Sequence, residues 1–145
     1  PLQLTRLTQV DDWLRTAISV ARERGDRADE LRHRRDRSLI LLGFWRGFRG
    51  DELIRVQVEH LRLVPGDGMT CFLPRSKGDR QASGTSYKVP ALSRLCPVTA
   101  IVDWTTTAAL TEGPVFRGID RWGRVSETPL HPNSLIPLLR SLLAA

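Results

Sequence analysis

The chain has 145 residues, of which 41% are hydrophobic, so it is long enough for one domain with an apolar core and too apolar for a disordered segment. It carries 22 lysines and arginines against 16 acidic residues, a net charge of +6. A basic domain of this size commonly binds nucleic acid, although a solvated arginine-rich surface gives the same balance. No apolar run approaches the ~18 residues of a membrane span, so we expect a cytoplasmic protein without a membrane partner.

The first third of the chain predicts helices. Residues 8–24 place apolar side chains on one helical face, with Thr8 as a suitable N-cap. Residues 22–37 mix arginines with acids and are interpreted as a mostly polar connector. The run at residues 39–45 is apolar on nearly every side, which predicts a helix buried at the centre of the domain. A short helix should follow, with Asp51 as its N-cap.

From His60 onward the hydrophobic pattern alternates, as in strands. We predict strands near residues 60–64, 69–74 and 87–90, forming a small antiparallel sheet. Helical patterns return from Pro97 to about Thr107 and again from near Pro132, with a loop over residues 117–129. The predicted fold class is therefore α+β, mainly helical with a small three-stranded antiparallel sheet. The predicted organisation is a single domain over residues 1–145, helical over 1–58, with the sheet over 59–90 and helical again over 97–145.

A first candidate site is the run GFRGDEL at residues 47–53, which follows the predicted central helix. A guanidinium is always charged, and its planar set of donors matches two oxygens of a phosphate at once. Between two rigid helices, the charge of Arg49 would be preorganised toward a phosphodiester. The alternative is an arginine that merely forms an ion pair with Glu52.

A second candidate site is the run RSKGDR at residues 75–80, which follows the middle predicted strand. Gly84 and the run KVP at residues 88–90 come next, and the second run lies between the second and third predicted strands. Lys77 is one of only two lysines in the chain. A compact ammonium on a flexible stem is suited to delivering a proton, although most loop lysines are merely solvated.

These two runs, in this order and with the buried helix before them, resemble the catalytic domain of tyrosine recombinases, the phage integrase family. The resemblance spans most of the chain and is strongest from Arg35 to Pro90. It implies DNA strand cleavage and rejoining through a 3′-phosphotyrosyl intermediate, without metal or other cofactor. It also implies double-stranded DNA as the partner, and a tetramer of the full-length protein on paired recombination sites. Such a protein would be DNA-associated in a bacterial cytoplasm and would act on a mobile element.

The resemblance also assigns roles to individual residues. It implies that Arg49 is the first catalytic arginine, that Glu52 supports it, and that Lys77 is the general acid that protonates the departing 5′ oxygen. We further expect DNA contacts from nearby arginines, namely Arg46, Arg75 and Arg80.

Two further elements of the family are not found in this sequence. In the family's His-x-x-Arg box an arginine follows the histidine by three residues, whereas His131 is followed by Ser134. The only tyrosine, Tyr87, falls in a predicted strand. Cys71 and Cys96 have no partner at metal-ligand spacing, so no metal site is predicted. We interpret the chain as a truncated catalytic domain that is inactive alone; the alternative is a non-catalytic DNA-binding module or a degenerate integrase remnant.

Overall fold

The computed structural model of the protein describes residues 4–64, 67–74 and 84–144, apart from the side chain of Ile136. Its fold is α+β and mainly helical, which confirms the predicted class, with a three-stranded and a two-stranded antiparallel sheet. In chain order the elements are α1 (Leu4–Glu23), α2 (Arg27–Arg46), α3 (Gly50–Arg55), a 3-10 turn (Val58–His60), β1 (Leu61–Val64), β2 (Gly68–Leu73), β3 (Thr85–Pro90), α4 (Pro97–Thr107), β4 (Arg117–Ile119), β5 (Val125–Pro129) and α5 (Pro132–Ala144).

The middle of α2 lies at the centre of the fold, as its apolar sequence predicts. Leu39 and Leu42 pack into a core with the larger sheet and α4, whereas Ile40 and Leu41 pack into a second core with α1. All four are at most 4% exposed. A helix that serves two cores needs apolar residues on opposite faces, which explains why this segment has no polar side.

The predicted connector over residues 22–37 is wrong, because most of it is the first half of α2. Asp26 caps that helix by accepting a hydrogen bond from the backbone amide of Asp29 at 3.1 Å. The charges that suggested a solvated connector pair with each other instead. Arg34, for example, contacts Glu30 one turn earlier at 3.0 Å and also Asp103 of α4.

The predicted N-terminal residues of two helices are also wrong. Helix α1 begins at Leu4, and the hydroxyl of Thr8 donates to the carbonyl of Leu4 at 2.9 Å from within the helix. Helix α3 begins at Gly50 and its N-cap is Arg49, not Asp51. Asp51 instead lies in the first turn, where a carboxylate favours the positive end of the helix.

The sheet β1–β2–β3 matches the predicted strands to within two residues. Met69 of the central strand pairs with Leu63 on one side and Val89 on the other. Gly68 has a φ of +126°, and a Cβ there would lie 2.2 Å from the carbonyl oxygen of Val89, so only glycine fits this turn into β2.

The predicted loop over residues 117–129 is wrong in part, because it contains the hairpin β4–β5. Arg35 of α2 donates to the carbonyl of Arg117 at 3.0 Å, so a buried arginine orders this short strand. The turn of the hairpin lies against the first turn of α2, where an added Cβ at Gly123 would be 3.2 Å from the backbone nitrogen of Ala28. Three-residue strands with polar neighbours carry too little alternation to be recognised from sequence.

Candidate functional site

The candidate site is built at the C-terminal end of α2. Gly47 ends the helix in the left-handed conformation, with φ +65°, and its amide donates to the carbonyl of Gly43 at 2.9 Å. Phe48 then turns into the core and is 8% exposed. A helix stop followed at once by a buried anchor fixes the direction in which the next residue leaves the core.

That next residue is Arg49, whose backbone is held on both sides. Its amide donates to the Glu52 carboxylate at 2.8 Å, and its carbonyl accepts from the amides of Glu52 and Leu53 at 3.0 Å. Glu52 thereby fills the acidic half of a capping arrangement, in which a side chain three residues into the helix accepts from the N-cap amide. The backbone of Arg49 is fixed while its side chain is exposed.

The charge of Arg49 is not neutralised within the part of the chain that the structure describes, because no carboxylate lies within 4.0 Å of its guanidinium nitrogens there. Glu52 contacts the backbone amide and not the guanidinium. The alternative of a simple Arg49–Glu52 ion pair is therefore absent from this geometry. An exposed, backbone-fixed arginine is available to an external anion.

Lys77, Arg75 and Arg80 lie outside the described residues, but the two chain ends that flank them are described. Arg55, the last residue of α3, donates to the carbonyl of Pro74 at 3.2 Å. A six-residue helix is about 9 Å long, so this contact brings the end of β2 close to the site of Arg49.

The other flank of this segment is equally constrained. Gly84 has a φ of +72°, and a Cβ there would lie 2.5 Å from the carbonyl oxygen of Leu73. Only glycine fits such a close approach of two backbones. The two ends of the segment that carries Lys77 are thus held together near α3.

Arg46, three residues before Arg49, is the last residue of α2. Its guanidinium carbon lies 5.2 Å from the centroid of the Tyr87 ring on β3. Phe48 meets the same ring edge-on, with centroids 4.9 Å apart. Sequence reasoning proposed Arg46 but missed its contact with Tyr87, which joins elements about forty positions apart and leaves no local pattern.

The same cluster reaches Cys71, which pairs with Tyr87 in the sheet. Burial raises the pKa of the Cys71 thiol to about 11, although the positive charge of Arg46 acts in the opposite direction. The thiol is therefore neutral at physiological pH and packs as a small apolar group.

His131, which has no arginine three residues later, lies at the start of α5. Its Nδ1 accepts a hydrogen bond from the amide of Asn133 at 3.0 Å, so its imidazole caps the helix.

Among the described residues, no helix is both long and apolar enough to cross a membrane.

The fold and site together define a basic, mainly helical α+β protein that presents an exposed arginine from a fixed helix junction. In comparison with known proteins, the chain is 34% identical over 114 residues to an integrase/recombinase XerD homolog from Selenomonas ruminantium. The matched stretch covers 77% of this chain and 33% of that protein, so the chain spans about a third of the relative's length. No protein-family model matches the chain. The similarity agrees with the resemblance of this sequence to tyrosine recombinases.

Proposed function

We propose that this chain is the N-terminal part of the catalytic domain of a tyrosine recombinase, a DNA integrase that cleaves and rejoins double-stranded DNA. The observation that carries the proposal is the geometry of Arg49, which is exposed, fixed at its backbone and without a carboxylate partner among the described residues. The 34% identity to a recombinase over most of this chain agrees with it.

In the proposed reaction a tyrosine oxygen attacks the phosphorus of a phosphodiester. A bond forms between the tyrosine and the 3′ phosphate, and the bond to the 5′ oxygen breaks. Arg49 donates hydrogen bonds to the non-bridging oxygens as negative charge accumulates on them, and one such preorganised donor accounts for roughly 100- to 1000-fold in rate. Lys77 gives its proton to the departing 5′ oxygen. In rejoining, the free 5′ hydroxyl attacks the phosphotyrosine and returns its proton to Lys77, and the bond between the phosphorus and the tyrosine oxygen breaks.

Glu52 has a supporting role in this proposal, because it holds the backbone from which Arg49 projects. Arg46, Arg75 and Arg80 would contact phosphates of the duplex beside the reacting one. The full-length enzyme would act as a tetramer on paired sites, and no step of the scheme uses a metal or other cofactor.

The nucleophile is not Tyr87 in this proposal. Tyr87 lies within the sheet and its ring packs against Phe48 and Arg46, so its position serves packing. The second arginine and the nucleophilic tyrosine would come from sequence outside these 145 residues. Catalytic groups that act as a unit lose most of their effect when one is absent, so the chain alone should not cleave DNA.

The experiment uses a nicked suicide substrate and looks for a covalent protein–DNA adduct on a denaturing gel. In a longer protein that joins this chain to the second arginine box and the tyrosine, we expect an adduct that Arg49→Ala abolishes. Arg49→Lys should be severely impaired as well, because an ammonium cannot hold two phosphate oxygens in a planar fork. An active Arg49→Ala variant would contradict the assignment of this residue.

The matched test on the 145-residue chain separates the proposal from its alternative. We expect salt-sensitive duplex binding without an adduct. An adduct that is lost in Tyr87→Phe would overturn the site assignment. Binding that persists while every longer version stays inactive would favour the non-catalytic DNA-binding module or integrase remnant.

A further inference from the structure

The C-terminal end of α2 carries a second arginine whose surroundings are unusual. Arg46 is half-buried, and its Nε is buried without a hydrogen-bond partner among the residues that the structure describes. Within the described ranges, no carboxylate lies within 4.0 Å of its guanidinium nitrogens. A desolvated donor without an acceptor is destabilising, typically by about 1–3 kcal/mol. A structural arginine is normally paired, so this one calls for another explanation.

Among the described residues, the guanidinium of Arg46 lies over the Tyr87 ring, with its carbon 5.2 Å from the ring centroid. The ring is itself fixed, because Phe48 packs edge-on against it at an interplanar angle of 88°. Tyr87 therefore contacts the residues on both sides of Gly47, the helix stop that precedes Arg49. A ring in this position restricts the rotamers of Arg46 without itself accepting the N–H hydrogen bonds of the guanidinium.

We propose that Tyr87 is a positioning residue that holds Arg46 ready for a phosphate of duplex DNA, next to the phosphate met by Arg49. This inference rests on the proposed function and deepens it. A phosphate would supply an acceptor for the Arg46 guanidinium, which has no carboxylate within 4.0 Å among the described residues. The Tyr87 ring restricts the Arg46 side chain before DNA binds, so that less side-chain entropy is lost on binding. The aromatic face carries this role and the hydroxyl group does not.

The test measures binding of the 145-residue chain to a fluorescently labelled duplex by anisotropy, over a series of salt concentrations. Arg46→Ala should lower the slope of log K against log salt by roughly 0.9, the value for one phosphate contact. Tyr87→Leu should weaken binding about 2- to 5-fold, in line with a cation–π contact of about 0.5–1 kcal/mol. Tyr87→Phe keeps the ring and should bind like the wild type.

A double-mutant cycle separates positioning from a merely structural role. Tyr87→Leu should have no further effect on binding once Arg46 is alanine, because the ring acts only through that guanidinium. Arg121→Ala removes the same charge from the hairpin at the other end of α2 and should leave the salt slope unchanged. Thermal unfolding of each variant sets the temperature at which all are folded. If Tyr87→Leu does not fold, Tyr87→Met replaces it with the same expectation.

Three results would overturn the inference. The first is an Arg46→Ala variant with the wild-type slope, and the second is a Tyr87→Leu variant with wild-type affinity. The third is equal binding to polyglutamate with the same sensitivity to Arg46, which would indicate an acidic protein partner. Wild-type binding that does not depend on salt would instead contradict the proposed function itself and the inference with it.

Discussion

The two ends of α2 use the same residue type in opposite ways. Four arginines between residues 32 and 37 are paired with carboxylates, whereas Arg27 donates to the carbonyl of Thr107. At its C-terminal end the two arginines of the α2–α3 junction have no carboxylate within 4.0 Å among the described residues. The paired set consists of Arg32 with Asp29 (2.9 Å), Arg34 with Glu30 (3.0 Å), Arg35 with Asp36 (2.9 Å) and Arg37 with Asp11 (2.7 Å); the unpaired set is Arg46 and Arg49.

The difference has a cause that is visible in the sequence. Acidic residues are interspersed with arginines over residues 26–37, whereas residues 38–50 contain no acidic residue. Arginines in the first stretch pair with carboxylates of their own helix or of a neighbouring one, whereas the acid nearest Arg49 on its C-terminal side, Glu52, accepts from the backbone amide of Arg49 instead. The acidic residues near an arginine in the sequence therefore indicate its role better than the net charge of +6 does.

The largest expected effect is on the buried pair of the first half. Arg35 and Asp36 are both about 8% exposed at the side chain, and Arg35 also donates to the Arg117 carbonyl. Arg35→Ala leaves a buried carboxylate without its partner and should lower the free energy of unfolding by about 3–5 kcal/mol. Urea denaturation at neutral pH measures this. A loss below 1 kcal/mol would contradict a structural role for Arg35.

The stability lost in Arg35→Ala should depend on pH, because its size depends on the protonation state of Asp36. Burial raises the pKa of the Asp36 carboxyl above its ordinary value, even though Arg35 beside it acts to lower the pKa. The folded state therefore holds this proton more tightly than the unfolded state. Stability from this group is fully present below the unfolded pKa and is lost as pH rises through the folded pKa.

In Arg35→Ala the carboxyl has lost its counter-ion, so its pKa should rise further. The destabilisation should then shrink as pH falls through the raised pKa of Asp36, where the carboxyl takes up a proton. Urea denaturation at a series of pH values measures this. Asp36→Asn in the same background should abolish the dependence. An equal loss of unfolding free energy at pH 4 and pH 7 would contradict this prediction. It would mean that Asp36 is already neutral at pH 7 in the Arg35→Ala variant.

A smaller loss of unfolding free energy is expected for Arg37→Ala, because a second arginine also approaches the same carboxylate. Arg37 contacts the buried Asp11 of α1 at 2.7 Å, but Arg15 also approaches that carboxylate at 3.5 Å. Arg37→Ala should cost about 2 kcal/mol in unfolding free energy. The control is Asp12→Ala, whose pair with Arg15 is exposed and should contribute less than about 0.5 kcal/mol. Equal losses for the two variants would contradict the distinction.

The unpaired end should show the smallest effects on stability. Glu52→Ala removes the acceptor for the Arg49 amide and should cost about 1 kcal/mol, whereas Glu52→Gln keeps an acceptor oxygen and should cost less. Arg49→Ala removes only an exposed side chain and should stay within about 0.5 kcal/mol of the wild type. Chemical denaturation of the three variants measures these differences. A strongly destabilised Arg49→Ala would place Arg49 in the structural set.

The fold could be predicted from sequence wherever one hydrophobic pattern dominated. The central helix, the three strands and the helix from Pro97 to Thr107 all have such a pattern. Charged residues defeated the prediction over 22–37, because ion pairs to α1 and α4 that stabilise the helix are invisible until the helices are placed together. The hairpin β4–β5 was missed because tertiary contacts, such as that of Arg35 with Arg117, order strands too short to show a period.

The candidate site was predictable in part. The run at residues 47–53 placed Arg49 and Glu52 at a helix junction, although Asp51 and not Arg49 was predicted as the N-cap. That Glu52 holds the backbone and not the guanidinium could not be predicted from spacing alone. The contact of Arg46 with Tyr87 could not be predicted either, because it depends on how β3 packs against α2.

The most direct test of the comparison is the salt dependence of duplex binding by two charge-matched double variants. Arg46→Ala with Arg49→Ala should lower the slope of log K against log salt by roughly 1.8, the value for two phosphate contacts. Arg22→Ala with Arg121→Ala removes the same charge near the opposite end of α2, about 30 Å away for a 20-residue helix, and should leave the slope unchanged. Equal slopes for the two double variants would contradict the account, because binding would then follow net charge and not the unpaired end of α2.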